Sequence, residues 1–358
     1  MLFDAFDSPS LKLKNRIVMS PMTRNRTVEA NTPNALMAEY YAQRATAGLI
    51  ITEGTSPSPN GLGYPRIPGL FNDAQVKGWK LVTDAVHAKG GRIFIQLMHC
   101  GRVSHVASLP AGAEVVGPSA ETCPGEVFTD TQGMQPYSPP RAMTEAGIAK
   151  AVEEYAQSAR LAIKAGFDGV ELHAANGYLI EQFLNANVNK RSDGYGGSIA
   201  GRNRFALEVA RATVAAIGAE CTGARLSPHG AFNATGAYGD VDAQFVELVQ
   251  EFSKLGLAYV HVLDHSAMGA PAVPAELKAK LRAAFKGVFI LAGGLDRASG
   301  EAALAEKRAD LIAIGRGFLA NPDLVDRLRS NAALNAPDMT TFYTPGAKGY
   351  TDYPALKG

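Results

Sequence analysis

Three polar side chains that follow a short apolar run suggest the chemistry of this chain. Residues 169–172 are typical of a short buried strand, and His173 ends this run. Asn176 and Tyr178 come shortly after it, and Gly177 between them permits a sharp turn. His and Asn can together donate two hydrogen bonds to one substrate oxygen, and Tyr can donate a phenolic proton. The alternative is a buried histidine bonded to backbone, an ordinary Asn-Gly turn and a tyrosine that fills the core.

Polar and glycine residues also end other apolar runs. Gly293-Gly294 and Gly315-Arg316 follow the last two runs, where backbone N–H groups could approach a phosphate and the arginine could add charge-assisted bonds. Either pair alone could be a plain turn. Arg225 lies within an apolar run that holds no acidic partner, so we expect an anionic ligand or an electron-rich ring edge beside it. The remaining polar residues at such ends are Thr23 and Gln96.

The elements that must position these residues alternate regularly. Strands are predicted over 17–20, 49–52, 93–97, 170–173, 223–226, 259–262, 288–291 and 311–314. Amphipathic helices are predicted over 34–47, 73–89, 145–165, 201–217, 242–255, 274–285 and 298–307. Eight such units predict an α/β fold, a closed parallel (β/α)8 TIM barrel with its active site at the carboxyl ends of the strands. An open doubly wound sheet is the alternative.

Three segments lie outside this pattern. Residues 2–13 predict a small N-terminal hairpin, because Asp7-Ser8-Pro9 is a turn signal. Residues 100–144 form a Gly-, Pro- and Ser-rich insertion after the third strand, which could cap the catalytic face. The aromatic tail 331–358 is expected to pack on the barrel. We therefore treat 1–358 as a single domain.

Composition narrows the class of protein. The 358 residues are 46% hydrophobic and 19% charged, which is typical of a soluble protein with a large core. A net charge of +1 gives no reason to expect nucleic acid or an anionic membrane as partner. The three cysteines follow no metal-ligand spacing, and their odd number argues against a disulfide framework. With an acidic N-terminus and no run of ~18 apolar residues, a cytoplasmic protein without a metal is expected.

Across nearly its whole length the sequence resembles the old yellow enzymes, which are FMN-dependent ene-reductases. The similarity is to the branch of N-ethylmaleimide, pentaerythritol tetranitrate and xenobiotic reductases. It rests on the segments 15–24, 96–102, 173–179, 183–184, 191–198, 202–205, 314–316, 320–324 and 349–354. In this order along one chain, these motifs are highly specific.

The resemblance implies a non-covalently bound FMN. Thr23 would bond the flavin O4 edge, Gln96 would hold the pyrimidine edge, and Arg225 would lie against N1 and O2. The full implied set is Pro21, Met22, Thr23, Gly54, Gln96, Arg225, Gly293, Gly294, Gly315 and Arg316. No G-x-G-x-x-G fingerprint follows a strand, so the reductant, NADPH or NADH, is expected to visit the substrate pocket transiently.

The resemblance also implies the reaction. Hydride would pass from flavin N5 to the β-carbon of an activated alkene, and Tyr178 would protonate the α-carbon as general acid. His173 and Asn176 would bind the substrate oxygen, as donors do in an oxyanion hole. Tyr64 and Tyr343 would line the substrate pocket. Met98 lies two residues beyond Gln96 on the same face of the third strand, so it either lines this pocket as well or packs in the core. The substrates expected are α,β-unsaturated carbonyls, maleimides and nitroalkenes, with nitro compounds or nitrate esters as a further class, for a monomer or small homo-oligomer.

The sequence departs from the family pattern at a few positions. Many relatives carry a second His at the position of Asn176, and close relatives carry Trp at that of Met98. Thr23 separates the chain from the branch with a redox-sensitive cysteine there. Two other hypotheses remain: an FMN barrel that oxidises dihydroorotate or a 2-hydroxy acid, and a flavin-binding redox sensor without alkene reductase turnover.

Overall fold

A computed structural model describes residues 1–356, and its centre is a closed barrel of eight parallel strands. Each strand pairs with its neighbours in chain order, and the last pairs with the first. The strands are β1 Ile17–Met19, β2 Leu49–Ile51, β3 Ile93–Leu97, β4 Gly169–Ala174, β5 Thr222–Leu226, β6 Tyr259–Leu263, β7 Val288–Ala292 and β8 Leu311–Ile314. The predicted TIM barrel is confirmed, and the open sheet is wrong because β8 bonds to β1.

Within residues 1–356, ten α-helices connect and follow the strands. They are α1 Ala35–Gln43, α2 Asp73–Ala88, α3 Glu145–Lys164, α4 Leu179–Leu184, α5 Ile199–Ile217, α6 Val241–Lys254, α7 Ala275–Ala284, α8 Arg297–Ala305, α9 Arg316–Ala320 and α10 Leu324–Ser330. All seven predicted helices form within residues 1–356. Five of them begin where a side chain accepts a backbone N–H of the first turn, and the capping residues are Asn34, Asn72, Thr144, Ser198 and Asp296. The short α4, α9 and α10 were not predicted.

The barrel wall separates two apolar cores, because successive strand residues point to opposite faces. Outward side chains such as Val170 and Leu172 pack with the surrounding helices. Inward side chains such as Ile51 and Ile290 form a second core that includes Leu11 and Leu13 of the N-terminal hairpin. The polar functional groups therefore lie above an apolar barrel floor.

The segments outside the barrel contain short strands. The N-terminal hairpin pairs Phe6–Asp7 with Lys12–Leu13 in antiparallel fashion, as predicted. In the insertion, Val116–Gly117 pairs with Arg141–Ala142, and Glu126–Thr129 forms a hairpin with Gly133–Pro136. The tail runs back over the loop that follows β1, and Tyr350 is fully buried there.

Candidate active site

One cavity of about 610 Å³ lies at the carboxyl ends of the barrel strands. Every residue that the sequence singled out for catalysis, cofactor or substrate lines it, from Thr23 after β1 to Arg316 after β8. The set is Pro21, Met22, Thr23, Gly54, Tyr64, Gln96, Met98, His173, Asn176, Tyr178, Arg225, Gly293, Gly294, Gly315, Arg316 and Tyr343. The strand ends thus converge on one site, as a parallel barrel requires.

The turn after β4 holds Asn176 in a fixed conformation. Asn176 has a φ of 62° and Gly177 a φ of 75°, so two consecutive residues are left-handed. The Asn176 N–H donates to Ser227 Oγ at 2.9 Å, and its carbonyl accepts from Asn233 Nδ2 at 2.7 Å. The buried carboxyl of Glu181 accepts the Gly177 N–H at 2.6 Å, and burial raises its pKa to about 8. Neighbouring loops therefore stabilise the turn, leaving the Asn176 side chain to face the cavity.

His173 lies beside Arg225 in the barrel wall, because the two residues are partners in the β4–β5 register. His173 is 2% exposed, and its Nδ1 is buried without a hydrogen-bond partner within the described residues. Burial lowers the pKa of His173 well below its usual value, and the positive charge of Arg225 adds to the effect. His173 is therefore a neutral imidazole at pH 7.

Tyr178 is hydrogen-bonded to a second tyrosine across the cavity. The Tyr64 and Tyr178 hydroxyls are 3.1 Å apart, and their rings meet edge to face. The ring of His173 lies 5.0 Å from that of Tyr178. Burial raises the pKa of Tyr178 well above that of a free phenol, so the hydroxyl keeps its proton throughout the neutral range.

A buried polar layer lies beneath the cavity. Glu171 accepts from Gln96 Nε2 at 2.7 Å and its other oxygen is 2.9 Å from His261 Nδ1. Arg225 stands next to His261 in the β5–β6 register. Arg225 is 5% exposed, and its Nε is buried with no hydrogen-bond partner among residues 1–356. Burial lowers the pKa of Arg225, and the negative charge of Glu171 on the neighbouring strand opposes that shift. The acid that the strand of Arg225 lacks is therefore on β4.

The residues fit a flavin mononucleotide. An orphaned buried guanidinium needs an electron-rich partner, and the Gln96 amide beside it can bond to polar ring edges. Glycines line the cavity after β7, where a Cβ on Gly293 would lie 2.1 Å from the Asp264 carbonyl oxygen, so only glycine allows the two backbones to approach this closely. Gly293 and Gly294 have φ of 120° and 66°, so their backbone conformation also requires glycine. Arg316 is exposed beside them and supplies positive charge.

Met98 lines the cavity and also packs against the core around it. It follows the last residue of β3, is 1% exposed and belongs to an apolar cluster with Leu62, Ile67 and Cys100. A Cβ on Gly54 would lie 2.4 Å from its sulfur, so the two residues are in close contact. The pocket and core interpretations of Met98 therefore both describe part of its surroundings.

The tail forms one wall of the cavity through Phe342 and Tyr343. Two buried arginines of the loop after β1 hold it. Arg24 donates to the Phe342 and Gly349 carbonyls, and Arg26 donates to the Phe342 carbonyl and to three others of the tail. Tyr350 stacks on Tyr40 with ring centroids 4.0 Å apart. Tyr343 thus reaches the site because the loop that carries Thr23 also binds the tail.

A second, outer cavity of about 760 Å³ adjoins the first, sharing Thr23, Tyr64, Tyr178 and Tyr343 with it. Its outer wall is the insertion hairpin, through Val127, Phe128 and Met134 among others. The insertion therefore borders the outer cavity rather than the inner one.

Several residues of the site were missed by reasoning from sequence. His265 and Phe232 lie in loops after β6 and β5, where spacing gave no signal. His261, like Arg225, is a polar residue inside an apolar strand, and that signal could have identified it.

Within residues 1–356, each helix is too short or too polar to span a bilayer.

Comparisons with known proteins agree with this geometry. Residues 1–335 match the NADH:flavin oxidoreductase / NADH oxidase family. The chain is 41% identical to 12-oxophytodienoate reductase 7 of Oryza sativa subsp. japonica, over 99% of this chain and 94% of that protein. It is 44% identical to chanoclavine-I aldehyde reductase of Penicillium roqueforti, over 98% and 95%.

Solved structures show the same likeness. Morphinone reductase is 46% identical, with a TM-score of 0.95 over 99% of this chain and 96% of that one. A structure of morphinone reductase in complex with tetrahydroNAD is 44% identical, with a TM-score of 0.95 over 99% and 98%. The old yellow enzyme homologue from Zymomonas mobilis is 40% identical, with a TM-score of 0.95 over 99% of each chain.

Proposed function

This chain belongs to the NADH:flavin oxidoreductase / NADH oxidase family, the family of the old yellow enzymes, and we propose how its own residues reduce activated alkenes. It is an FMN-dependent oxidoreductase that takes its electrons from NAD(P)H. When bound, FMN supplies the hydride. The observation that carries the proposal is the convergence of His173, Asn176 and Tyr178 on the cavity that also contains the unbonded Arg225.

His173 and Asn176 bind the electron-withdrawing oxygen of the substrate. A neutral imidazole and a carboxamide can each donate one N–H bond to it, so the oxygen gains two donors. These bonds strengthen as negative charge develops on that oxygen. The substrate class is therefore an alkene conjugated to a carbonyl, an imide or a nitro group.

Tyr178 donates the proton that completes the reduction. Its raised pKa keeps the phenol protonated at neutral pH, and the Tyr64 hydroxyl 3.1 Å away can stabilise the phenolate left behind. Gln96, Arg225 and Thr23 hold FMN at its polar edges, while Gly293, Gly294, Gly315 and Arg316 receive its phosphate. Pro21, Met22 and Gly54 pack beside the ring, and Tyr64, Met98 and Tyr343 surround the substrate.

NADPH is the proposed reductant, and NADH should be measured beside it, since a relative has been solved with tetrahydroNAD. The purified protein is expected to be yellow and to release FMN on denaturation. Under anaerobic conditions the reduced pyridine nucleotide should bleach the flavin, and cyclohexenone should restore its colour. A flavin that is reduced but not reoxidised by the enone would leave a redox sensor, an alternative that the reductase relatives do not support.

A further inference from the structure

His265 lies against the carboxamide of Asn176. Its Nε2 is 2.9 Å from Asn176 Oδ1, a hydrogen-bond distance. His265 follows β6, two residues beyond the strand end, and lines the same cavity as Asn176. The 88 residues between the two are bridged by the barrel, which brings the ends of β4 and β6 to one rim.

The backbone of Asn176 is fixed, so the orientation of its carboxamide is what remains to be determined. Its backbone N–H is bonded to Ser227, its carbonyl to Asn233, and its φ is 62°, so the main chain is fixed. A carboxamide has two different ends, an oxygen that accepts hydrogen bonds and an NH2 that donates them. The group that bonds one end decides which end the cavity receives. That group is His265.

The surroundings of His265 leave it one useful proton. The ring is 2% exposed and packs on Phe232 with centroids 4.5 Å apart. Its Nδ1 is buried and has no hydrogen-bond partner in the part of the chain that the structure describes. Burial, and next the charge of Arg225, lower the pKa of His265 to about 4, so the ring is neutral at pH 7 and carries one N–H.

We propose that His265 is a positioning residue whose Nε2–H donates to Asn176 Oδ1 and thereby turns the Asn176 NH2 toward the substrate oxygen. In this tautomer, the proton is used in the hydrogen bond and only a lone pair at Nδ1 remains unpaired. The opposite tautomer would bury an unpaired N–H and would accept from the Asn176 amide. Asn176 Oδ1 would then face the cavity and repel the negative charge that develops there.

This inference rests on the proposed function, because the oxygen that Asn176 binds is that of an alkene substrate. It adds a residue of the loop after β6 that decides whether Asn176 donates to the substrate oxygen or repels it. His265 does so through Asn176, without a bond of its own to the reacting atoms.

The tautomer can be measured directly. In ¹⁵N-labelled protein, the two imidazole nitrogens of a neutral histidine differ strongly in chemical shift according to which one carries the proton. His265→Gln identifies the signal among the seven histidines. Nε2–H is expected at pH 7, in protein with and without FMN. An Nδ1–H tautomer would overturn the proposal, whatever the activity of the protein.

The functional consequence is measured by a double-mutant cycle. The probe is 4-chlorophenol, whose phenolate resembles the charged substrate oxygen, titrated by the flavin absorption spectrum. His265→Leu keeps the contact with Phe232 but removes the donor, and should weaken binding about 3- to 10-fold, the range of one net hydrogen bond. His265→Gln retains an N–H and should recover most of this loss.

The Asn176→Ala background separates positioning from a structural role. There, His265→Leu should change phenol affinity by less than about twofold, because the carboxamide it orients is gone. An equal loss in both backgrounds, or no loss in either, would refute the proposal. If the wild-type protein binds FMN and phenol but the His265 variants do not behave as expected, the role of His265 is refuted and the proposed function stands. If the wild type binds neither, both fall together.

Discussion

Arg26 donates to more carbonyls of the tail that walls the active site than does Arg24, the other buried arginine of its loop. The three guanidinium nitrogens of Arg26 donate to four carbonyls of the tail at distances of 2.8–3.2 Å. Burial lowers the pKa of Arg26 to about 10, so it is still charged at pH 7. The acceptors are Thr341, Phe342, Gly346 and Lys348.

Arg26→Met removes all these donors and keeps a side chain of similar length. At about 1 kcal/mol net for each hydrogen bond, the tail should lose about 4 kcal/mol of local stability. Since 1.4 kcal/mol corresponds to a tenfold change, amides of the tail should exchange with solvent up to about 1,000-fold faster. The amides to follow are those of Gly349 and Tyr350, which are bonded within the tail itself.

Hydrogen–deuterium exchange with mass spectrometry at pH 7 measures this directly. Phenol affinity should fall in parallel, because Phe342 and Tyr343 line the cavity. Flavin content should change less, since the polar edges of the ring are held by barrel residues. Arg329→Met is the matched control: Arg329 is 55% exposed and its pair with Asp326 lies on the surface.

Unchanged exchange at 349–350 in Arg26→Met would refute the reasoning and show that Arg24 and the stacking of Tyr350 hold the tail without Arg26. Equal acceleration in the Arg329 control would mean that the effect is not specific to the buried arginine.

Four further outcomes are expected. Tyr178→Phe should slow alkene reduction by about 10²–10⁴-fold and flavin reduction much less; stopped-flow rates that fall equally in both half-reactions would give Tyr178 a structural role. His173→Ala with Asn176→Ala should lose about 2.7–4 kcal/mol of transition-state stabilisation per donor but keep FMN, and an unchanged phenol titration would reject that assignment. Met98→Trp should reduce turnover of bulky enones relative to cyclohexenone and lower the melting temperature, with ~1–3 kcal/mol of strain; an unaltered enone series would confine Met98 to packing. Burial raises the pKa of Glu181 from 4.5 to about 8, so its carboxyl in the native protein keeps a proton that the unfolded chain loses, and the free energy of unfolding should fall between pH 4.5 and 8. Urea unfolding of the apoprotein should show a smaller fall in Glu181→Gln. An identical fall would contradict the shift.

The barrel could be predicted because its signals are local. Each strand is a short apolar run followed by a helical pattern, and the rule that parallel strand ends share one rim then placed His173, Arg225 and Gly293 together. What spacing could not supply was the pairing across strands. Arg225 lacks an acid in its own strand, yet Glu171 lies one strand away at nearly the same level of the barrel.

The residues that the sequence missed are those whose role depends on a contact distant along the chain. Nothing near His265 in sequence indicates Asn176, because the bond forms only when β4 and β6 reach the same rim. Met98 shows the converse. Its strand position predicted a pocket residue, but the packing of Gly54 against its sulfur is set by the neighbouring strand.

Arg66 connects the insertion hairpin to the C-terminal tail and to the loop after β1. It has a φ of 55° and donates to the carbonyl of Asn25 at 3.2 Å and to that of Tyr343 at 3.0 Å, while it forms an ion pair with Asp130 of the insertion hairpin. The hairpin borders the outer cavity, whereas Tyr343 lines both. Grafting a hairpin from a relative would therefore also disturb the inner wall, so hairpin and tail should be exchanged together when substrate range is redesigned.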